Sequence, residues 1–203
     1  MGAILIADSG STKAEWCLLD GNKKKRVITT GLSPYFVSGQ QMQQVFKEVL
    51  YPKISQQLPD EIFFYGAGCS NPQNLKTIKA ALKSVFTKSA ISVDHDLIGA
   101  SRALCGHKKG IACILGTGSN SCFYNGKKIV KNSPGLGYVL GDEGSGAYLG
   151  KKVVQYFLYN TFDPDLMDRF NAKYHLSASE ILDSVYKQPL PNRYLARFCM
   201  FLS

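Results

Sequence analysis

The chain has 203 residues, of which 45% are hydrophobic and 19% are charged. This composition is typical of a globular protein, and the length allows one large or two small domains. No apolar run approaches the roughly 20 residues that a membrane-spanning helix needs, so we expect no membrane partner. The six cysteines include no Cys-x-x-Cys pair, which argues against a structural zinc site.

The net charge of +9 at pH 7 also limits the function, because strongly basic proteins often bind nucleic acid. The basic residues are spread along the sequence, and the dense run Lys23–Arg26 falls at a predicted hairpin tip. A solvated turn explains that run better, so we expect no nucleic-acid partner. A general positive field would also attract a nucleotide. The first predicted strand begins at Ala3, which leaves no room for a signal peptide and predicts a cytoplasmic protein.

The first candidate site follows the first predicted strand. The apolar run Ala3–Ala7 is bounded by turn residues and predicts a buried strand, and Trp16–Leu19 predicts the next one. Between them, Asp8–Lys13 reads Asp-Ser-Gly-Ser-Thr-Lys. A tight turn of glycine and hydroxyl residues directs backbone N–H groups and hydroxyls at one point, which suits a phosphate. Asp8 adds a carboxylate that would act on the phosphate through Mg²⁺ and its waters.

The rest of the first half alternates strands and helices. Apolar residues at helical spacing predict a helix from Gln41 to Ile54, and Asn71 before Pro72 predicts the N-cap of another. After the first hairpin, the predicted order is strand 26–30, helix 41–54, strand 61–65, helix 71–87, strand 90–93 and helix 97–104. This order predicts an α/β layer fold with helices covering the sheet.

Asp96 is the candidate general base. It lies after a predicted strand and just before a predicted helix, where it could face a cleft. A carboxylate there could accept the proton of an attacking hydroxyl group. The alternative explanation is that Asp96 is the N-cap of the helix, and the two roles are compatible.

The chain then repeats the first motif at an offset of 108 residues. Ile111–Leu115 predicts a strand, and Gly116–Asn120 follows it as Asp8–Thr12 follows the first strand. Each copy ends at a hairpin signal, Asp20-Gly21 in the first and Asn125-Gly126 in the second. Either turn alone is better explained as an ordinary glycine-rich hairpin end. Together they favour two related lobes that offer phosphate-binding turns to a shared cleft.

A glycine-rich loop separates the strands of the second half from its helices. The predicted elements are strands 111–115, 121–125 and 128–131, loop 134–146, and helices 147–159, 166–174, 178–186 and 193–202. Asp142 and Glu143 in the loop could be first-turn carboxylates favoured by the helix dipole. The surrounding glycines favour a substrate loop instead, since glycine lets a ligand approach the backbone. We therefore divide the chain into a first lobe, 1–107, and a partial second lobe, 108–203.

Taken in order, these motifs resemble the actin/hexokinase/Hsp70 superfamily of phosphotransferases. The resemblance covers about the first 159 residues and rests on Asp8–Lys13, Asp96, Gly116–Asn120 and Gly141–Ser145. Within the superfamily, the chain is most similar to N-acetylglucosamine kinase and to the ATPase family that includes the activators of benzoyl-CoA reductase and 2-hydroxyacyl-CoA dehydratase. The resemblance implies an α/β fold of ribonuclease H-like (actin-like ATPase) lobes with a mixed five-stranded sheet, duplicated, with the second lobe incomplete.

The resemblance also implies roles for individual residues. The first phosphate loop would comprise Asp8, Gly10, Ser11, Thr12 and Lys13, with Asp8 near Mg²⁺. The second would comprise Gly116, Thr117, Gly118 and Ser119. Asp96 would deprotonate the sugar hydroxyl. The sugar contacts would be Asn120, Gly137, Tyr138, Asp142, Gly144 and Ser145. The implied cofactors are ATP and Mg²⁺, and phosphoryl transfer needs mainly positioning and neutralised phosphate charge.

Two features depart from the family pattern. The family's second lobe continues into a Gly-Gly-containing loop that holds the adenosine, and this sequence contains no Gly-Gly pair. We therefore expect either a shortened chain, or adenosine binding that is lost or supplied by a partner. The acceptor loop has Tyr138 as its nearest aromatic residue, which leaves the identity of the sugar open. The oligomeric state is open as well, with a homodimer as one option.

The leading hypothesis is an ATP-dependent sugar kinase that acts on an amino sugar such as N-acetylglucosamine. The second is an ATPase that activates a partner enzyme, where a Cys-Ala-Ala-Gly-Thr-Gly pattern accompanies an iron–sulfur cluster. Here Ile114-Leu115 precedes Gly116-Thr117-Gly118, so we rank this hypothesis lower. The third is a non-catalytic sugar sensor. Repressors of the superfamily carry a helix-turn-helix ahead of the first strand, and none fits before Ala3.

Overall fold

The computed structural model describes residues 2–133 and 135–203. Met1, the first residue of the predicted first lobe, and Pro134, the first residue of the predicted glycine-rich loop, therefore lie outside the described residues. The chain divides into two compact units. The first comprises the residues up to Lys108 together with Gly126–Lys128, and the second comprises Lys109–Asn125 and Ile129–Ser203.

A five-stranded mixed sheet forms the centre of the first unit. Its strands are β1 (Ile4–Ser9), β2 (Lys13–Asp20), β3 (Lys23–Thr30), β4 (Glu61–Gly66) and β5 (Ala90–His95). The order across the sheet is β3-β2-β1-β4-β5. The first three strands form an antiparallel meander, and β1, β4 and β5 run parallel. The mixed five-stranded sheet expected from the sequence is confirmed.

The helices of the first unit begin in different ways, and some of them have a capping side chain. They are α1 (Gly39–Val45), α2 (Tyr51–Ile54), α3 (Pro72–Val85) and α4 (Asp96–Cys105), with a π-helical segment at Phe46–Leu50. The predicted helix 41–54 is thus a continuous run with a π-helical turn in its middle. Asn71 is the N-cap of α3, and its side chain accepts a 2.8 Å hydrogen bond from the Gln73 amide.

The core of the first unit lies on one face of this sheet. Trp16 on β2 is 1% exposed and contacts the rings of Phe46 and Phe64, whose centroids are 5.7 and 5.8 Å away. The indole N–H of Trp16 donates to the Thr29 hydroxyl at 3.0 Å, so the buried polar atom of the ring has a partner. This packing fixes which side chains of β1, β2 and β4 point away from the core.

A three-stranded antiparallel sheet and a group of helices form the second unit. The strands are β6 (Gly110–Leu115), β7 (Ser119–Tyr124) and β8 (Ile129–Asn132). The helices are α5 (Gly137–Leu140), α6 (Gly146–Leu158), α7 (Pro164–Tyr174), α8 (Ala178–Tyr186) and α9 (Pro191–Ala196), followed by a 3₁₀ segment at Arg197–Phe201. The glycine-rich stretch predicted as a loop therefore contains one short helix, α5.

The core of the second unit is aromatic. Phe170 is fully buried, and its ring lies 4.1 Å from that of Phe157, 4.8 Å from that of Tyr174 and 5.8 Å from that of Phe198. Gly150 on α6 has no room for a side chain, because a Cβ there would collide with the carbonyl of Leu195. In the part of the chain that the structure describes, no helix is both long enough and apolar enough to cross a bilayer.

Candidate active site

The candidate site begins at the carboxyl end of β1. Ala7 and Ser9 point into the core and are fully buried. Asp8 lies between them and points the other way, because successive side chains of a strand alternate between faces. The turn into β2 is closed by a 3.0 Å hydrogen bond from the Gly10 amide to the Lys13 carbonyl. Asp8 therefore lies directly beside a tight turn of small residues.

The loop after β3 holds this turn in place. The amide of Gly31 donates to the Thr12 carbonyl at 3.0 Å, and the amide of Leu32 donates to the Ser9 hydroxyl at 3.1 Å. A Cβ on Gly31 would come within 2.5 Å of the Gly10 carbonyl oxygen, so this close approach requires glycine. Sequence reasoning missed Gly31, for which the one available signal was a glycine directly after a strand.

Two side chains of this turn, those of Thr12 and Lys13, determine how it could bind a phosphate. The Thr12 hydroxyl is buried and has no hydrogen-bond partner among the described residues. The Lys13 ammonium pairs with the Glu15 carboxylate at 2.6 Å, and both side chains are more than half exposed. The alternation along β2 puts these two residues on one face. A surface ion pair of this kind is weak, so a phosphate could compete for Lys13.

Asp96 is the first residue of α4, and His95, not Asp96, is the N-cap. Strand β5 extends through His95 because it remains paired with Gly66 of β4, two residues beyond the predicted end of the strand. The carboxylate of Asp96 accepts a 2.9 Å hydrogen bond from the Leu97 amide. The alternative that Asp96 is the N-cap is therefore wrong by one residue.

The carboxylates at this edge of the sheet are electrostatically coupled. Burial raises the pKa of Asp96, and its hydrogen bond from the Leu97 amide opposes that rise. Partial burial also raises the pKa of Asp8, and the negative charges of Asp96 and then Glu15 raise it further. Glu15 lies directly opposite Asp8 in the pairing of β1 with β2. Asp8 thus lies in a local excess of negative charge, which a cation would relieve.

In the second unit, the turn between β6 and β7 is held by the start of α6. The amide of Gly116 donates to the Gly118 carbonyl at 2.9 Å. The amides of Gly146 and Ala147 donate to the carbonyls of Gly116 and Thr117 at 2.8 and 3.1 Å. The predicted second phosphate loop and the amino end of α6 therefore form one local structure.

The carboxylate of Asp142 lies over this turn. A Cβ on Gly118 would be 2.9 Å from an Asp142 carboxylate oxygen, so glycine leaves the room that the carboxylate occupies. Asp142 has a φ of 58°, a left-handed conformation that costs about 1–2 kcal/mol in a non-glycine residue. The Ser119 hydroxyl donates to the Glu143 carbonyl at 3.0 Å and fixes the same segment. The structure thus brings Gly118, Ser119 and Asp142 together.

Ser145 has a structural partner within α6. It is fully buried, it is the N-cap of the helix, and its hydroxyl accepts a 3.1 Å hydrogen bond from the Tyr148 amide. Asp142 and Glu143 precede this cap, so the alternative that they are first-turn carboxylates is wrong for both. Gly144 between them and the cap has a φ of 75°, which glycine adopts without strain.

The other predicted sugar contacts lie between the second turn and Asp142 in the sequence. The Asn120 side-chain oxygen accepts a 2.9 Å hydrogen bond from the Ser121 amide. Gly137 is the first residue of α5 and has open space around its Cα. The Tyr138 side chain packs against the aromatic core of the second unit, and its carbonyl accepts a 2.9 Å hydrogen bond from Lys151.

The five-stranded mixed sheet, with a glycine-containing turn after its first strand, defines the class of protein: the actin/hexokinase/Hsp70 superfamily. No protein-family model and no curated protein matches the chain. A candidate N-acetylglucosamine kinase from Porphyromonas gingivalis is 42% identical, with a TM-score of 0.93 over 98% of this chain and 71% of its own. The chain belongs to the family of this P. gingivalis protein.

Two further solved structures share the fold at low identity. A candidate N-acetylglucosamine kinase from Chromobacterium violaceum is 17% identical, with a TM-score of 0.74 over 100% of this chain and 73% of its own. A ROK-family glucokinase from Streptomyces griseus, solved with glucose and AMPPNP, is 14% identical, with a TM-score of 0.58 over 98% of this chain and 75% of its own. These two support the fold assignment.

Proposed function

We propose that this protein is an ATP-dependent kinase that phosphorylates an amino sugar such as N-acetylglucosamine. The observation that carries the proposal is the arrangement at the carboxyl edge of the first sheet. There Asp8 lies near the end of β1, just before the turn, and Asp96 is the first residue of α4, directly after β5. Burial, followed by the negative charge of Asp96, raises the pKa of Asp8. The 42% identity to a candidate N-acetylglucosamine kinase supports the choice of substrate.

The turn after β1 suits a phosphate group. The buried Thr12 hydroxyl has no partner within the described residues, and an unsatisfied polar group of this kind would gain from an acceptor that a ligand supplies. Lys13 is held by a surface ion pair with Glu15 that a phosphate could replace. We assign Gly10, Ser11, Thr12 and Lys13 to the first phosphate loop, and Gly116, Thr117, Gly118 and Ser119 to the second.

The residues around Asp8 also suit Mg²⁺. The pKa of Asp8 is raised by burial and by two neighbouring carboxylates, so a divalent cation would stabilise its ionised form. Within the described residues, no group of three or more His, Cys, Asp or Glu side chains could hold a metal ion. The ion would therefore take most of its ligands from phosphate oxygens and water. When bound, it neutralises phosphate charge during transfer.

Asp96 is proposed as the general base. Its carboxylate is half-buried at the end of β5, and one of its oxygens accepts from the Leu97 amide. A carboxylate with a raised pKa is a better proton acceptor than an ordinary one, provided that it is ionised at the working pH. Asn120, Gly137, Tyr138, Asp142, Gly144 and Ser145 are proposed as the sugar-binding residues.

The proposal is tested by ADP formation in the presence of ATP, Mg²⁺ and a panel of N-acetylglucosamine, glucosamine, glucose and no sugar. We expect N-acetylglucosamine to stimulate ADP formation most. The variant Asp96→Asn keeps the shape of the side chain and loses the base, so we expect a rate about 10²–10⁴-fold lower. Asp168→Asn, at an exposed aspartate on α7 of the second unit, is the matched control.

Three results would contradict this proposal. A near-wild-type rate for Asp96→Asn would remove the assigned base. ADP formation that is independent of any sugar would favour an ATPase that acts on a partner. Sugar binding measured by calorimetry, with neither transfer nor hydrolysis, would favour a sensor.

A further inference from the structure

Helix α4 begins at Asp96 and is held on the sheet by contacts further along the helix. It packs against β1, β4 and β5. Phe64 of β4 points into the main core, so its neighbour Tyr65 points to the opposite face of the sheet, where α4 lies. The position of Asp96 therefore depends on how α4 sits on Tyr65.

Gly99 sets the distance between α4 and Tyr65. A Cβ on Gly99 would lie 2.8 Å from Cγ and 3.0 Å from Cβ of Tyr65. Separations under about 3 Å between carbon atoms fall well inside the preferred contact distance, so any side chain at this position would push the helix away. Gly99 has no positive φ, so close approach, not backbone conformation, accounts for the glycine here.

Arg102 fixes the same helix to the sheet one turn further on. Its Nη1 donates a 2.9 Å hydrogen bond to the Tyr65 hydroxyl and lies 3.6 Å from the Asp94 carboxylate. The guanidinium carbon is 5.7 Å from the centroid of the Tyr65 ring. Tyr65 and Asp94 are neighbours in the parallel pairing of β4 with β5, so one arginine contacts both strands.

Asp96, Gly99 and Arg102 follow each other at three-residue spacing, which puts them along one side of the helix. The rise of a helix is about 1.5 Å per residue, so Asp96 lies only about 4.5 Å along the axis from Gly99. A displacement of α4 at Tyr65 therefore reaches Asp96 almost undiminished. A misplacement of about 1 Å in a catalytic group can lower a rate about 10²-fold.

We propose that Tyr65, Gly99 and Arg102 are positioning residues that hold the Asp96 carboxylate in place for catalysis. This inference rests on the proposed function, in which Asp96 is the base. It assigns a role to three residues outside the motifs that define the two proposed phosphate loops, although Tyr65 is the neighbour of Asp8 in the pairing of β1 with β4. Arg102 also lies beside Asp94 and balances its charge. Asp94 is close to the site, because its charge and that of Asp96 both add to the effect of burial in raising the pKa of Cys69.

The charges around Asp96 make its protonation a sensitive reporter. Asp8 faces it from β1, Cys69 from the loop after β4, and His95 and Asp94 precede it on β5. Burial, followed by the charges of Asp96 and Asp94, raises the pKa of the Cys69 thiol to about 12, so this group is neutral at working pH. Burial is the largest cause of the raised pKa of Asp96, so a shift of α4 on the sheet that changes this burial would change its titration midpoint.

The test compares Arg102→Met, Arg102→Lys, Tyr65→Phe and Gly99→Ala with Leu104→Ala, a control on the same helix at a residue that is 69% exposed. Sugar-dependent ADP formation gives kcat, the KM for ATP and the pH–rate profile. Carbon-13 NMR of the Asp96 carboxyl, assigned with Asp96→Asn, gives its titration midpoint in the free protein. The NMR measurement does not require activity.

We expect Arg102→Met and Gly99→Ala to lower kcat about 10–100-fold, with the KM for ATP within about threefold of wild type. In Arg102→Met the Asp96 midpoint should differ from that of wild type, because burial is the main cause of its raised pKa and a displaced α4 changes that burial. Arg102→Lys should recover part of both effects, and Leu104→Ala should show neither. Tyr65→Phe isolates the hydroxyl contact without loss of the ring.

Two results would overturn the inference. If Asp96→Asn is inactive while Arg102→Met matches Leu104→Ala in kcat and in the Asp96 midpoint, the positioning role is wrong and the proposed function stands. If Asp96→Asn is as active as wild type, the proposed function fails. In that case, an Asp96 midpoint that is the same in Arg102→Met as in wild type rejects the positioning role separately. Gly99→Ala could lose activity through poor folding, so the decision rests on Arg102→Met and on its partial rescue by Arg102→Lys.

Discussion

At the scale of single residues, the central feature is a pair of carboxylates that are kept less acidic than usual. Burial raises the pKa of Asp96, and burial together with the charge of Asp96 raises the pKa of Asp8. The proposed roles require different pKa changes in these two groups. Asp8 would be returned to its ionised form by a cation, whereas Asp96 would keep a raised proton affinity and use it in the transfer step.

The raised pKa of Asp96 predicts how the protein's stability depends on pH. A folded-state pKa above the unfolded value means that the folded protein binds this proton more tightly. Stability is therefore lost as the pH rises from the ordinary aspartate value, about 3.9, through the raised one. Asp96→Asn removes this loss, so we expect the variant to be more stable than wild type at pH 7.

Urea unfolding at pH 3 and pH 7 measures this effect. The gain from Asp96→Asn should be present at pH 7 and should vanish at pH 3, where the wild-type carboxyl is protonated in both states. Asp168→Asn should show no such pH-dependent gain, because the charge it removes is exposed. An Asp96→Asn protein that is less stable than wild type at pH 7 would show that the ionised carboxylate stabilises the fold.

Gly31 gives a second prediction at this scale. Gly31→Ala would place a methyl group within 2.5 Å of the Gly10 carbonyl and displace the first phosphate loop. We expect ATP affinity, measured by calorimetry, to fall at least about tenfold, or about 1.4 kcal/mol. Gly21→Ala is the matched control, because Gly21 has a φ of 55° and no atom within 4 Å of a new Cβ.

Gly21→Ala should cost about 1–2 kcal/mol of stability through backbone strain and leave ATP affinity unchanged. This pair separates damage to the loop from general destabilisation. Equal ATP affinity in Gly31→Ala and Gly21→Ala would mean that the first loop does not bind the nucleotide.

At the scale of elements, the start of α6 links helix stability to the proposed sugar site. Ser145 and Ser177 are both N-caps whose hydroxyls accept from an amide three residues later, in α6 and α8 respectively. Ser145→Ala and Ser177→Ala should therefore each destabilise the protein by about 1 kcal/mol in urea unfolding. Only Ser145 is also a proposed sugar contact, so only Ser145→Ala should raise the KM for the sugar beyond that shared cost.

If neither variant changes the KM for the sugar from that of wild type, Ser145 acts only as a helix cap. If Ser177→Ala raises the KM as much as Ser145→Ala, the effect comes from lower stability. Either result would remove Ser145 from the proposed substrate-binding residues.

Local signals in the sequence were enough for elements that local chemistry determines. Asn71 was predicted as a helix cap and is one, because a cap depends on residues within one turn. The start of α4 was predicted less well. Pairing with β4 extends β5 through His95, and no residue near Asp96 signals that distant interaction. The π-helical turn at Phe46–Leu50 also leaves no clear local signal.

The candidate site shows the same division. The two glycine turns and Asp96 were found because short motifs carry them. The residues that hold those groups in place were missed. They are Gly31 beside the first turn, Gly99 and Arg102 on α4, and Glu15, which pairs with Lys13. These contacts join residues whose proximity follows from strand order and helix packing, which the sequence does not state. The assignment of phosphate and sugar contacts remains a prediction.

At the scale of the whole molecule, the chain contains two units with separate cores. The first packs around Trp16, and the second packs around Phe170. Each core has its own buried aromatic rings, and each unit has its own sheet. Units with independent cores can unfold separately, in which case one two-state transition does not describe the protein. The division of the chain into lobes 1–107 and 108–203 remains a prediction.

Trp16 provides a selective measurement of the first unit, because it is the single tryptophan of the sequence and is 1% exposed there. Phe170→Ala would open a cavity in the second core and should destabilise that unit by about 3–5 kcal/mol. We expect the midpoint of helical circular dichroism to fall in Phe170→Ala, while the midpoint of tryptophan fluorescence stays within error of wild type. Phe46→Ala, which removes a ring beside Trp16, should lower the fluorescence midpoint instead. If Phe170→Ala shifts both midpoints together, the two units unfold as one cooperative body, and stability changes in either half would then have to be interpreted for the chain as a whole.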